Sequence, residues 1–367
     1  MDFNELLKPA VLPNDIAVIN RLKASDLPVV LYGASVDVAD QIVKKLSENN
    51  ISLTMVVYDE ESPVMTKMTR FLKDFEPVHL KDAVKRLPTC HVILGFVKAY
   101  SQIDSVTAKF QKACSVSYFS EIFDMEVITP SFIVENDVFL RRFYDDLGDQ
   151  HSKASFVAYL LSKTRQDMKY LPPVFDKYQY FPKDLIRLTD RESYVDCGAF
   201  TGDTIADFLQ ASGGVYERIW AVEPDRLNYE KLIQYIENER LFNIEAVNKG
   251  VYSHAGYLPF QEEGSMLSMV INASDRYVDV DTIDHITDGK PVTYIKLDVE
   301  GVELQALKGA EQTIRTFKPV LGISIYHKED DLITIPSYVK AIVPEYAFYF
   351  RVHKKLAIDT VLYAMIK

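Results

Sequence analysis

Positive charge is in short supply in this sequence. Its 367 residues carry 41 lysines and arginines against 53 aspartates and glutamates, a formal net charge of −12. The chain therefore lacks the broad positive field that draws proteins to phosphate backbones, and no nucleic-acid partner is expected. Cysteine is rarer still. Cys90, Cys114 and Cys197 are odd in number and widely spaced, which fits reduced thiols in a cytoplasmic protein better than a disulfide framework. No apolar run approaches the ~20 residues of a membrane span. The first residues, with Asp2 and Glu5, lack the basic and apolar regions of a secretion signal. The seven histidines are scattered without paired ligand spacing, so no zinc site is encoded and no metal is expected. A divalent ion held by Asp298 and other carboxylates has no motif behind it.

What the sequence does contain is the material of a folded protein. Hydrophobic residues make up 48% and charged residues 26%, and the length suggests two domains. Val29-Val30-Leu31-Tyr32-Gly33 reads as an apolar strand ending in a glycine turn, followed by a helix over 36–46 and a second strand over 51–58 that stops at Asp59. A helix over 81–87 and a strand over 91–96 continue the alternation, so residues 1–128 read as a small Rossmann-like α/β domain. Its dinucleotide fingerprint is degraded. Gly33 holds one glycine position, but Ser35 and Val38 stand where the second and third would be, and the backbone cannot then approach a pyrophosphate closely. An NAD(P)-dependent oxidoreductase or a nucleotide-sugar-binding protein acting through this domain is the alternative reading of the chain's function; a scaffold role is the other reading of the domain.

Residues 129–187 read as an aromatic, helical connector, helical over 153–168 and broken at Pro172-Pro173. Tyr180, in the cluster Gln179-Tyr180-Phe181-Pro182, either packs a domain junction or contacts a substrate, since pockets favour aromatic walls.

From residue 188 to 367 the alternation restarts. Strands are expected over 194–198, 218–223, 244–251, 292–298 and 319–326, helices over 204–210, 229–241 and 302–316. A hairpin-like insertion is expected over 256–260, 266–272 and 277–280, and closing strands over 346–352 and 360–366. The segment Asp196-Cys197-Gly198-Ala199-Phe200-Thr201-Gly202-Asp203-Thr204 combines two turn glycines, expected to leave amides free for a ligand, with two carboxylates that would repel a phosphate and suit a cation. Val222-Glu223-Pro224 follows at the end of the next strand, where an acidic side chain can accept hydrogen bonds from both ribose hydroxyls. In this order the residues point to S-adenosyl-L-methionine, released as S-adenosyl-L-homocysteine, rather than to NAD. Asp196, Gly198, Ala199, Phe200, Gly202, Asp203, Thr204, Glu223 and Pro224 are the cofactor candidates. Asn248, at the end of the third strand, is placed near the adenine.

Thr282-Ile283-Asp284, the long run Ile295-Lys296-Leu297-Asp298-Val299-Glu300-Gly301-Val302-Glu303-Leu304-Gln305-Ala306-Leu307-Lys308-Gly309-Ala310, and Lys318-Pro319-Val320 closely resemble the signature of FkbM-type methyltransferases. The resemblance covers roughly residues 188–367. It implies a class I methyltransferase domain, with a seven-stranded, mostly parallel sheet ending in an antiparallel hairpin. It also implies an enzyme that methylates hydroxyls of sugars or secondary metabolites, a small-molecule or glycan acceptor, and a place in carbohydrate biosynthesis.

The residues add their own constraints. Period-two alternation puts Tyr294, Lys296 and Asp298 on one face of the fourth strand. A lysine inside a central parallel strand requires an acidic or carbonyl partner, and Lys296 is either half of an internal ion pair or a substrate contact. Tyr326 joins it as a substrate candidate. Asp298, at the carboxyl end of its strand, and His327, after the fifth, are the candidate bases for removing the acceptor's proton. Asp298 could instead only cap the following helix, and His327 only occupy the surface.

Overall fold

A computed structural model describes residues 3–11, 18–60, 75–87, 89–95, 108–123, 128–261, 269–270, 276–353 and 359–366. The chain divides into two compact units. The first comprises Met1–Asp145, Gln150–Phe175 and Arg351–Asp359; the second comprises Asp146–Asp149, Asp176–Phe350 and Thr360–Lys367. The segment read as a connector is thus shared between them.

The first unit is built on a parallel sheet of β1 (Val29–Tyr32), β2 (Leu53–Tyr58), β3 (Val78–His79), β4 (His91–Leu94) and β5 (Ser115–Ser117), in the order β3-β2-β1-β4-β5. β1 and β4 are buried along their whole length, as strands covered on both faces must be, which explains the apolar runs Val29-Val30-Leu31-Tyr32 and Val92-Ile93-Leu94. The helix Val36–Glu48 lays Val38, Ala39, Ile42 and Leu46 into the core. β3 and β5 were not legible. They are two and three residues long, and the two serines of β5 are fully buried through partners elsewhere, Ser117 accepting from Arg21 and Ser115 bonded to His91. Phe96, expected at the end of β4, lies outside the described residues. The acidic end of β2 is engaged internally. Asp59 is buried, 2.6 Å from Lys109 Nζ, and accepts from the Tyr32 hydroxyl at 2.9 Å.

The second unit has the class I methyltransferase fold. Its strands are β6 (Ser193–Cys197), β7 (Arg218–Val222), β8 (Ile244–Val247), β9 (Gly250–Val251), β10 (Gly256–Gln261), β11 (Met269–Val270), β12 (Tyr277–Asp281), β13 (Tyr294–Leu297), β14 (Val320–Ser324), β15 (Ala347–Val352) and β16 (Thr360–Met365). Seven of them form one sheet, β15-β16-β14-β13-β6-β7-β8. The pairings from β14 to β8 are parallel, and β16 runs antiparallel to β14. This is the expected seven-stranded sheet.

The insertion is a separate sheet, β11-β10-β12-β9. It takes Gly250–Val251 away from the strand expected over 244–251, because Asn248 turns back to donate to the carbonyls of Glu223 and Pro224 while Gly250 pairs with Val280. Of the strand expected over 266–272, only Met269 and Val270 are described. The helix expected over 302–316 is two helices, Glu303–Lys308 and Glu311–Phe317. The break falls at Gly309, where a Cβ would lie 2.0 Å from the Tyr252 carbonyl oxygen. The helix Asp331–Ile342, with Pro336 inside it, was not anticipated, since proline normally marks a helix end.

Candidate active site

The centre of the site is an ion pair between neighbouring strands. Lys296 on β13 sits directly beside Asp196 on β6 in the parallel register. Lys296 Nζ lies 3.1 Å from Asp196 Oδ1, with both side chains essentially inaccessible. The ammonium also donates to the carbonyls of Cys197 at 3.1 Å and Gly198 at 2.6 Å. The Thr204 hydroxyl donates to the other carboxylate oxygen of Asp196. Burial pulls the Lys296 pKa down, but Asp196, Asp298 and Asp203 outweigh it and hold the ammonium above its ordinary value. The partner demanded by the sequence is therefore present, and it is Asp196. Asp196, read as a cofactor candidate, is held here by Lys296 and Thr204. Of the two readings of Lys296, the structure shows the internal ion pair, with the remaining donors directed at the carbonyls of Cys197 and Gly198.

The loop after β6 also differs from expectation. Gly198 and Ala199 both donate to the Val222 carbonyl at 3.0 Å, Gly202 donates to Ala199 at 2.9 Å, and Phe200 donates to Glu223 at 2.9 Å. These four amides are not free for a ligand. The glycines are required for another reason. Gly198 adopts φ +80°, and a Cβ there would lie 2.0 Å from the Asp298 carbonyl oxygen. Only glycine lets the ends of β6 and β13 approach so closely. Asp203 is exposed at the start of the helix Asp203–Ser212.

Glu223, at the end of β7, is buried. Its two oxygens accept from the amides of Phe200 and Asp225, each at 2.9 Å. Burial pushes its pKa up to about 7, against the lowering effect of those amides. A carboxylate offers about four acceptor positions, so two amides leave capacity for the two hydroxyls of a ribose. The residues at this strand end therefore fit the nucleoside of S-adenosylmethionine. Pro224 is half-buried and Asn248 is exposed, its amide holding the turn after Glu223 by the bonds to the Glu223 and Pro224 carbonyls.

Beyond the ends of β13 and β14 a second set of polar groups converges. Asp298 Oδ2 accepts from the Tyr180 hydroxyl at 2.8 Å, and Asp298 Oδ1 accepts from Tyr326 at 3.3 Å. The Tyr180 hydroxyl also lies 3.0 Å from Ser324 Oγ. Tyr180 is buried and its hydroxyl supports Asp298. Burial alone would raise the Asp298 pKa, but Lys296 and His327 outweigh it and keep the carboxylate below its ordinary value.

His327 stands among carboxylates. Its Nδ1 is 2.9 Å from Glu303 Oε1, and its Nε2 is 3.3 Å from Glu300 Oε2 and 3.7 Å from Asp298 Oδ1. Burial lowers its pKa, but Glu303, Glu300 and Asp298 raise it well above the ordinary histidine value. Glu303 is fully buried and fixed by the amides of Val299 and Gly301. Glu300 and Glu303 were not among the site residues read from the sequence. No spacing signal could have linked them to His327, because the contact exists only through the adjacency of β13 and β14.

Residues 196–346 match the family described as Methyltransferase FkbM domain. Among solved structures, the chain is similar to Methyltransferase FkbM from Methylobacillus flagellatus KT, with 22% identity and a TM-score of 0.67, covering 98% of both chains. It is more distantly similar to an rRNA methylase from Streptococcus thermophilus, at 16% identity and a TM-score of 0.34, covering 49% of this chain and 90% of that one. Fibrillarin from Aeropyrum pernix is 18% identical with a TM-score of 0.31, covering 50% of this chain and 71% of that one. No curated protein sequence matches the chain.

Proposed function

We propose, on the premise that residues 196–346 form an S-adenosylmethionine-dependent methyltransferase domain of the FkbM type, that the acceptor is a hydroxyl of a sugar, a glycan or a related small molecule. The observation that supports this reading is the convergence of Asp298, Tyr326 and His327 beyond the ends of β13 and β14. Such groups bind and orient hydroxyls, and in open α/β sheets ligands lie at these strand ends.

S-adenosylmethionine supplies an electrophilic methyl group when bound. Glu223 would hold its ribose, and the exposed Asp203 is the remaining acidic candidate for its amino-acid part. The work of the chain is then to align donor and acceptor, which supplies much of the rate enhancement in a displacement. Asp298, ionised and half-exposed, accepts the hydroxyl hydrogen. His327 already carries its proton under the influence of Glu303, and it becomes a base or a ligand only after losing it. Tyr180 and Ser324 position Asp298.

The rival reading, dinucleotide chemistry in the first unit, is disfavoured by Asp59, whose carboxylate is already bonded to Tyr32 and Lys109. A cytoplasmic location belongs to the same proposal and is supported by the three cysteines being free thiols. Among the described residues no helix is long and apolar enough to cross a membrane.

The test is methyl transfer from S-adenosylmethionine to a panel of nucleotide sugars, oligosaccharides and other hydroxylated small molecules. Product in which the new methyl sits on oxygen is expected. Methylation confined to nitrogen or carbon acceptors would overturn the assignment of the acceptor.

A further inference from the structure

Asp298, Glu300 and His327 each present one donor atom, and the three atoms lie within 4.8 Å of one another. We propose that they bind a divalent cation, with open coordination positions left for oxygen atoms of the acceptor. The site lies on the acceptor side of the reading above and its role rests on that reading, but the binding of the ion does not.

Three observations carry it. The first is spacing. Around an ion bound at ~2.1 Å, adjacent donors are about 3 Å apart. His327 Nε2 lies 3.3 Å from Glu300 Oε2 and 3.7 Å from Asp298 Oδ1. These separations exceed the ~2.7–2.9 Å of charge-assisted hydrogen bonds and approach those of donors sharing one centre. The second is the histidine itself. Its side chain is nine-tenths buried, yet Nε2, the nitrogen that faces Asp298 and Glu300, makes no aligned hydrogen bond. Buried polar atoms normally have a hydrogen-bond partner.

The third is what stands behind the ring. Glu303, fixed by two backbone amides, faces Nδ1 at 2.9 Å and leaves Nε2 directed at Asp298 and Glu300. A metal-ligating histidine characteristically has such a carboxylate on its far nitrogen, which sets the ring's tautomer and orientation. Binding would then release the imidazole proton. The local charge agrees. Asp331, buried nearby, adds a fourth acidic group, while Lys328 is directed to the Gly301 carbonyl. Two carboxylates and one imidazole suit a hard to borderline ion, of the Mn²⁺ or Mg²⁺ kind ahead of thiophilic metals.

The experiment is Mn²⁺ binding to the full chain after chelator treatment, followed by electron paramagnetic resonance and calorimetry, with Mg²⁺ and Zn²⁺ as further arms. One ion per chain is expected. Asp298→Asn combined with His327→Gln should weaken binding more than tenfold, and Glu303→Gln, which keeps all three donors, about 10- to 100-fold. Melting temperature and S-adenosylhomocysteine binding serve as controls for folding. Should the double variant not fold, Glu300→Gln, on the half-buried loop, carries the same expectation of weaker binding. If the wild-type chain takes up none of the three ions, or the folded variants bind as well as wild type, the inference falls. Methyl transfer that persists in the metal-free protein would leave the proposed function standing without it.

Discussion

Lys296 and Asp196 occupy paired positions on adjacent parallel strands and form an ion pair 3.1 Å apart in the middle of the sheet. Neither charge has access to water, and the pair is completed by two backbone carbonyls and the Thr204 hydroxyl. Its place is structural. It ties the loop after β6 to the strand that runs up to Asp298.

Lys296→Met should be strongly destabilising, because Asp196 would remain buried without its counter-charge; breaking such a pair costs about 3–5 kcal/mol. Replacing both residues, as Lys296→Met with Asp196→Leu, should recover a large part of that loss. Denaturant unfolding of the two single variants and the double variant measures the coupling. Additive effects would show that the charges act independently.

Glu223 predicts a pH dependence. Its folded pKa, about 7, is raised above the ordinary glutamate value by burial. It therefore favours the folded state fully at pH below the ordinary value, and this contribution is lost as the pH rises through about 7. The ionised form is the better acceptor for hydroxyl donors. Affinity for S-adenosylhomocysteine should thus rise up to about tenfold between about pH 6 and about pH 8, while thermal stability relative to Glu223→Gln falls over the range up to about pH 7. Titration calorimetry and melting curves on both proteins test this. A flat affinity profile in the wild type would remove Glu223 from the ribose site.

Tyr180→Phe removes the hydroxyl that holds Asp298 and contacts Ser324. Losing one partner of a buried hydrogen bond costs about 1–3 kcal/mol. With Tyr180 acting as a positioning residue, kcat for methyl transfer should drop about tenfold or more while cofactor affinity stays unchanged. Equal losses in stability and cofactor binding, with kcat preserved, would mark it as packing alone.

The alternation of strands and helices and the cofactor were legible in the residues, because apolar periodicity and the order of the glycine turn and Glu223 are local properties; the class of the second sheet was implied by the resemblance carried by the run from Ile295 to Ala310. So was the need for a partner to Lys296, since a buried ammonium must be neutralised wherever it sits. The identity of that partner was not legible, because it depends on β6 lying beside β13 in one particular register. For the same reason the supporting contacts made by Asp196, Gly198 and Tyr180 were not legible. The glycine answers a close approach between strands, and the tyrosine reaches Asp298 across more than a hundred positions of sequence. The sequence determined what each segment could become. Only the packing of distant segments decided which carboxylates pair with Lys296, which surround His327, and which remain available to a guest.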